Sequence, residues 1–252
     1  MKILVLGDIH GRDCWKRIVK GENADLVIFL GDYVASPSDM DVPSDIQIDN
    51  LMDILKYRER NMDRVILLRG NHDMQHLNYA WASCSRYDRT VAKCMEAIEE
   101  RFLKLTQWVF VWEDNIFSHA GVSKKWWDSL KLGSETKDNI LKINELEPTE
   151  LFGFTPDRLS DYYGNSETQP CTWIRPYSLI RSHVEGWNQV VGHTRLPFAP
   201  GGNIFEIVKD NWDDLREQWG ITMKELWCID SLPDYYLLIE DGEKRLIENI
   251  YI

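Results

Sequence analysis

The sequence lacks any apolar run approaching the roughly 20 residues that span a bilayer, and it lacks the pattern of a secretory signal. Met1-Lys2 leads directly into a strand-like run, so the chain reads as a soluble cytoplasmic protein without a membrane partner. Cysteine is sparse and unpaired: Cys14, Cys84, Cys94, Cys171 and Cys228 are odd in number and scattered. That argues against a disulfide framework or a zinc finger and leaves reduced thiols, with Cys84 and Cys94 the pair open to redox chemistry. Positive charge is also short. The formal net charge is −12, and the four positive charges of two divalent ions would still leave −8. A long polyanion such as duplex DNA meets a repulsive field, so general nucleic-acid binding is not expected, whereas a single phosphate drawn to bound metal is compatible. Internal repeats and low-complexity tails are absent.

What is present is a core and a set of strand ends. At 252 residues, 44% of them hydrophobic, the chain fits one large domain, 1–252. Val65-Ile-Leu-Leu reads as a short buried strand, and after Arg69-Gly70 come Asn71, His72 and Asp73 at a tip. A carboxamide, an imidazole and a carboxylate in succession make a poor core but a good site for a divalent cation. The same build recurs. The run from Lys2 ends in Asp8 and His10, the run from Asp25 in Asp32, the run from Asn115 in His119 and the run from Gln189 in His193, each with a glycine next to it or one residue further on.

Between these ends, Arg12–Gly21 reads as a helix with Trp15, Ile18 and Val19 on one face. Ser44 reads as the N-cap of a helix through about Arg60, with Ile46, Leu51, Ile54 and Leu55 periodic. The βαβαβ alternation predicts parallel pairing with right-handed crossovers, hence an α/β fold. Ligands of α/β sheets collect at the carboxyl ends of strands, which puts Asp8, His10, Asp32, Asn71, His119 and His193 along one rim. Six mixed oxygen and nitrogen donors suit two divalent ions, with Asp32 as the bridge, Asp8 and His10 on one ion, and Asn71, His119 and His193 on the other. Such ions polarise phosphoryl oxygens and lower the pKa of a bridging water, giving a hydroxide for in-line attack on phosphorus. Manganese is the first expectation; iron, zinc and nickel suit the same donors.

Residues 76–104 read as helical and 106–117 as two strands around Glu113-Asp114-Asn115, opening a second sheet. Residues 123–188 carry Trp126, Trp127, Trp173 and Trp187, with helical patches near 124–131 and 137–146. This aromatic-rich segment leaves one ligand motif and returns to another, which suits a cap-like insertion, while each tryptophan by itself reads as packing. Leu226–Ser231 and 235–252 read as strands, with a hairpin turn at Asp241-Gly242.

Gly-Asp-Ile-His-Gly, Gly-Asp-Tyr-Val, Leu-Leu-Arg-Gly-Asn-His-Asp, Ser-His-Ala-Gly and Gly-His-Thr, in that order, resemble the motif series of the calcineurin-like metallophosphoesterases. The Leu-Leu-Arg-Gly-Asn-His element is most similar to the phosphoprotein phosphatase branch, which includes bacterial and phage protein phosphatases and symmetrical dinucleoside tetraphosphatases. The resemblance extends from residue 1 to about 232, and five motifs in order are far more specific than any one. It implies a two-sheet sandwich flanked by helices and hydrolysis of a phosphomonoester, on a phosphoprotein or a small phosphorylated molecule. It also implies His72 as general acid, with Asp73 either orienting it or serving as a turn carboxylate, and Arg175 as a substrate-phosphate clamp. Arg69 reads as a structural ion-pair partner, and His76 and His183, outside the motifs, as structural or solvated. Where the branch carries Asp-Arg-Gly after Gly-Asp-Tyr-Val, this chain has Ala35-Ser36-Pro37, with Asp39 or Asp41 as candidate substitutes. That departure keeps a nucleotide phosphodiesterase or dinucleoside polyphosphate hydrolase as the alternative. A catalytically silent scaffold, the reading from another class, has no need of all six ligands.

Overall fold

The computed structural model describes residues 1–37, 42–155, 166–196, 199–207 and 221–251, so Asp39 and Asp41 lie outside the described residues. The elements run β1 (Lys2–Leu6), α1 (Trp15–Glu22), β2 (Leu26–Phe29), α2 (Ser44–Arg60), β3 (Val65–Leu67), α3 (Asn71–His76), α4 (Arg89–Ala97) and α5 (Glu99–Leu105). They continue with β4 (Val109–Trp112), β5 (Asn115–Ser118), α6 (Lys124–Leu130), α7 (Lys137–Leu141), α8 (Pro176–Arg181) and β6 (Asn188–Val191). Last come β7 (Gly202–Asn203), α9 (Ile204–Ile207), β8 (Leu226–Cys228), β9 (Tyr235–Glu240) and β10 (Glu243–Glu248). The class is the α/β fold expected, with two mixed five-stranded sheets and flanking helices.

Residues 1–107 and 231–252 form one compact unit and residues 108–230 a second. The sheet of the first unit has the order β10-β9-β1-β2-β3. Strands β1, β2 and β3 are parallel, with Val5 opposite Ile28 and Ile28 opposite Ile66, as the βαβαβ alternation predicts. Ile3, Leu4, Val5 and Leu6 are all fully buried, each such side chain contributing about 1.5–3 kcal/mol relative to exposure. Burial on both faces explains why β1 reads as a continuous apolar run rather than an alternating one. The hairpin from β9 to β10 turns at Asp241 and Gly242, both at positive φ (52° and 87°).

Helix α2 corrects two expectations. Pro43 occupies the cap position and Ser44 the first turn, its hydroxyl donating instead to Asp88 Oδ2 at 2.5 Å. Ile46 is exposed, and Gln47 and Asn50 face inward because each finds polar partners there: Asn50 accepts from Trp15 Nε1 and donates to the Arg12 carbonyl. Helix α1 begins at Trp15 rather than Arg12. Helix α3 departs from the tip that Asn71-His72-Asp73 suggest in sequence. All six of its residues are buried, so it has no polar face from which an amphipathic period could be read.

The sheet of the second unit has the order β4-β5-β6-β8-β7. β4 and β5 are the expected hairpin, and β5, β6 and β8 are parallel. Trp126 and Trp127 are buried and donate to the carbonyls of Leu151 and Gly133, so they pack the unit's own core. Among the described residues no helix is long and apolar enough to cross a membrane.

Candidate active site

In the first unit the carboxyl ends of three parallel strands, β1, β2 and β3, deliver Asp8 with His10, Asp32, and Asn71 with His72 and Asp73. His10 and Asp32 both sit in the left-handed region (φ 48° and 50°), an uncommon backbone for residues other than glycine, which concentrates where geometry is imposed by function. Their loops are tied by the His10 amide to the Asp32 carbonyl at 2.7 Å and the Gly11 amide to the Tyr33 carbonyl at 2.8 Å.

His10 Nδ1 lies 3.0 Å from the Val34 carbonyl. A carbonyl only accepts, so Nδ1 carries the proton and Nε2 presents its lone pair. Nε2 lies 3.8 Å from Asp8 Oδ2 and 4.0 Å from Asp32 Oδ2. All three side chains are nearly inaccessible, with relative exposures of 4%, 1% and 1% for His10, Asp8 and Asp32. Two buried carboxylates and an imidazole oriented through its second nitrogen are a donor set of the kind that can hold a divalent ion. Asp32 turns its other oxygen, Oδ1, to accept the His72 amide at 2.9 Å.

Asp73 is fully buried, and its carboxylate accepts the amides of Asp32 (2.9 Å), Tyr33 (2.8 Å) and Gly70 (2.9 Å). It thereby caps α3 and ties the β2 loop to the β3 loop. Burial, and then the Asp73 and Asp32 charges, push the neighbouring Tyr33 hydroxyl well above its ordinary pKa. Its O–H donates to the Leu68 carbonyl. Arg69 is structural in placement, its guanidinium donating to Thr106 Oγ1 and to the carbonyls of Leu103 and Thr106 at the end of α5.

Two residues of this site were not singled out for it from sequence. Arg86 Nη2 lies 2.9 Å from His72 Nε2, and Arg86 Nη1 donates to the Ala35 carbonyl at 3.1 Å. Cys84 Sγ lies 3.4 Å from His72 Nδ1 and 3.7 Å from Asn71 Nδ2. Because a guanidinium can only donate, His72 Nε2 accepts and Nδ1 holds the proton toward sulfur. Burial pushes the Cys84 thiol up to about 12. All five cysteines are free. No motif marks Arg86; the only signal was the want of an arginine after Val34.

In the second unit β5 and β6, parallel neighbours, deliver His119 and His193 from their carboxyl ends. The two rings meet edge to face with centroids 5.0 Å apart, and the Gly192 amide donates to the His119 carbonyl. His193 is in the left-handed region (φ 60°), as His10 and Asp32 are. Arg175, at the cap of α8, reaches the same loop, donating to Thr194 Oγ1 at 3.0 Å and to the His193 carbonyl at 3.3 Å. Trp173 packs edge-on to His193 with centroids 5.8 Å apart. His183 is placed structurally, between the Ile180 carbonyl and Thr222.

The family model for calcineurin-like phosphoesterases matches residues 1–227, and the chain belongs to that family. It is a metal-dependent phosphoesterase, and the buried Asp and His donors of the first unit are a candidate site for such a metal. Among solved structures, the fold is similar to that of a cold-active protein-tyrosine phosphatase from a psychrophilic Shewanella species, at 16% identity and a TM-score of 0.57, covering 100% of this chain and 78% of the other. It is also similar to a protein serine/threonine phosphatase from Saccharomyces cerevisiae, at 14% identity and a TM-score of 0.56, covering 98% and 79%. No curated protein matches the chain.

Proposed function

We propose that the chain is a phosphomonoesterase that works with two divalent ions, manganese first, held by Asp8, His10, Asp32, Asn71, His119 and His193. The observation that carries this reading is the His10 imidazole, whose Nε2 faces the Asp8 and Asp32 carboxylates while Nδ1 is held by Val34. An oriented imidazole with an outward lone pair is how proteins prepare a histidine for a metal. Asp32 suits the bridging position because its two oxygens are turned to different neighbours. Held by these residues, divalent ions would supply Lewis-acid polarisation of the phosphoryl oxygens and a water acidic enough to attack phosphorus in line.

The chain's own residues do the rest. His72, held at its amide by Asp32, delivers a proton to the leaving oxygen from Nε2 after that nitrogen, once Arg86 lets it go, has taken the proton from solvent. Asp73 serves the turn rather than the proton, since three main-chain amides take up its carboxylate. Arg175 contributes a planar fork of donors for a substrate phosphate. Residues 123–188 act as a cap-like part of a single catalytic domain spanning 1–252. A phosphoprotein or a small phosphorylated molecule is the substrate class, supported by the two phosphatases that share the fold.

The test is hydrolysis of p-nitrophenyl phosphate and bis-p-nitrophenyl phosphate by metal-stripped protein, with and without manganese, beside Asp32→Asn and His72→Asn. Manganese-dependent turnover of the monoester, lost in both variants, supports the reading. Preference for the diester transfers it to a nucleotide phosphodiesterase or dinucleoside polyphosphate hydrolase.

A further inference from the structure

We propose that Arg86, carried by the loop between α3 and α4, grips the phosphoryl group of the substrate as His72 protonates the leaving oxygen. This rests on the phosphoesterase reading above. The guanidinium has five donors in a fixed planar fork, a shape matched by an oxyanion. Here it meets only neutral acceptors, the His72 ring at 2.9 Å and the Ala35 carbonyl at 3.1 Å. It forms no ion pair with any described residue, although the chain carries a net charge of −12. An exposed arginine bonded only to a histidine and a carbonyl, on a chain this acidic, is a cation left open to an anion from outside.

Geometry says which anion. A leaving oxygen within hydrogen-bond reach of His72 Nε2 is covalently attached to the phosphorus whose other oxygens carry the charge. Whatever reaches Nε2 therefore arrives beside Arg86 Nη2. The phosphoryl oxygens then replace the two neutral acceptors, and His72 Nε2 is released to hold the proton it transfers.

The loop is prepared for this. Gln75 of α3 accepts the Cys84 amide at 2.7 Å and donates to the Ser85 carbonyl at 2.9 Å, just before Arg86. His76 of α3 accepts the Asp88 amide at 3.0 Å, just after it, and its other nitrogen donates to the His72 carbonyl at 2.7 Å. Arg86 itself is in the left-handed region (φ 59°), a backbone cost of the kind that persists where surrounding bonds impose it. The helix that presents His72 thus also fixes the loop that presents Arg86, and little ordering is left for substrate binding to supply.

The experiment compares wild type, Arg86→Ala and Arg86→Lys by calorimetric titration of stripped protein with manganese, by titration of manganese-loaded protein with inorganic phosphate, and by steady-state hydrolysis of p-nitrophenyl phosphate. Manganese affinity is expected to be unchanged in both variants. Loss of a charged hydrogen bond to the anion weakens phosphate binding about 10- to 100-fold in Arg86→Ala and raises KM in step, with partial recovery in Arg86→Lys. Wild-type phosphate affinity and KM in Arg86→Ala, with manganese-dependent turnover intact, would overturn the assignment and leave the phosphoesterase reading standing. Loss of manganese binding together with a lowered unfolding midpoint in Arg86→Ala, unrelieved in Arg86→Lys, would overturn it in favour of a structural role. A wild-type protein that neither binds manganese nor turns over the ester overturns the reading beneath it, and the assignment with it.

Discussion

A Cβ at Gly70 would lie 2.1 Å from Asp32 Oδ1 and 2.4 Å from the Asp32 amide nitrogen. The β3 loop is therefore pressed against the carboxylate assigned to the metal, and only hydrogen fits between them. Gly31, at φ 108°, is pressed in turn against the Gly70 nitrogen, where a Cβ would come within 2.6 Å. For Gly70→Ala either the loop or Asp32 must shift. The expected outcome is a loss of about tenfold or more in manganese affinity, as for other residues that support a ligand, read by calorimetry on stripped protein.

Asp73→Asn tests the strut beneath Asp32. Oδ2 takes the amides of Asp32 and Gly70 and Oδ1 that of Tyr33, so a carboxamide must set its own NH2 against at least one donor. A fully buried donor left unmatched costs about 1–3 kcal/mol, expected as a lowered urea midpoint. A variant as stable as wild type would remove Asp73 from this role.

Gln75→Leu removes both side-chain bonds to the loop just before Arg86. Gln75 touches no substrate in this scheme, so it positions rather than catalyses. A rise in KM of about three- to tenfold with kcat little changed is expected, from an arginine that must be ordered at each binding event. Unchanged KM would mean the loop holds Arg86 without Gln75.

Acid stability should report His76. Burial, outweighing its bond to the His72 carbonyl and the nearby Asp88 charge, holds its pKa below the ordinary 6.5. Above 6.5 both folded and unfolded forms are neutral there and stability is unaffected. As pH falls below 6.5 the unfolded chain takes up the proton first, so stability declines until the folded pKa is reached. The urea midpoint of wild type should fall with pH below 6.5 more steeply than that of His76→Gln; parallel curves would discount His76.

Much of the fold was legible because burial writes β1, β2 and β3 as uninterrupted apolar runs, and because Asp241-Gly242 has the chemistry of a two-residue hairpin turn. Helix α3 was not, since its buried Asn-His-Asp-Met-Gln-His carries no periodic contrast. Nor was the inward turn of Gln47 and Asn50 in place of Ile46, because a polar residue goes inside only where partners await it, and those partners, such as the Trp15 indole, are distant in sequence.

By itself the sequence determined which strands lead into Asp8, Asp32, Asn71, His119 and His193, because a residue one to four positions beyond a strand's last residue stays near that strand's carboxyl end. Tertiary structure alone decided that Asp73 holds the main chain of Asp32 and Tyr33, about 40 residues away. It alone decided that Arg86 comes to His72, through a loop pinned by Gln75 and His76. The physical reason is that a hydrogen bond between distant residues leaves no periodicity in either of them, whereas burial of a strand leaves its mark on every residue it contains.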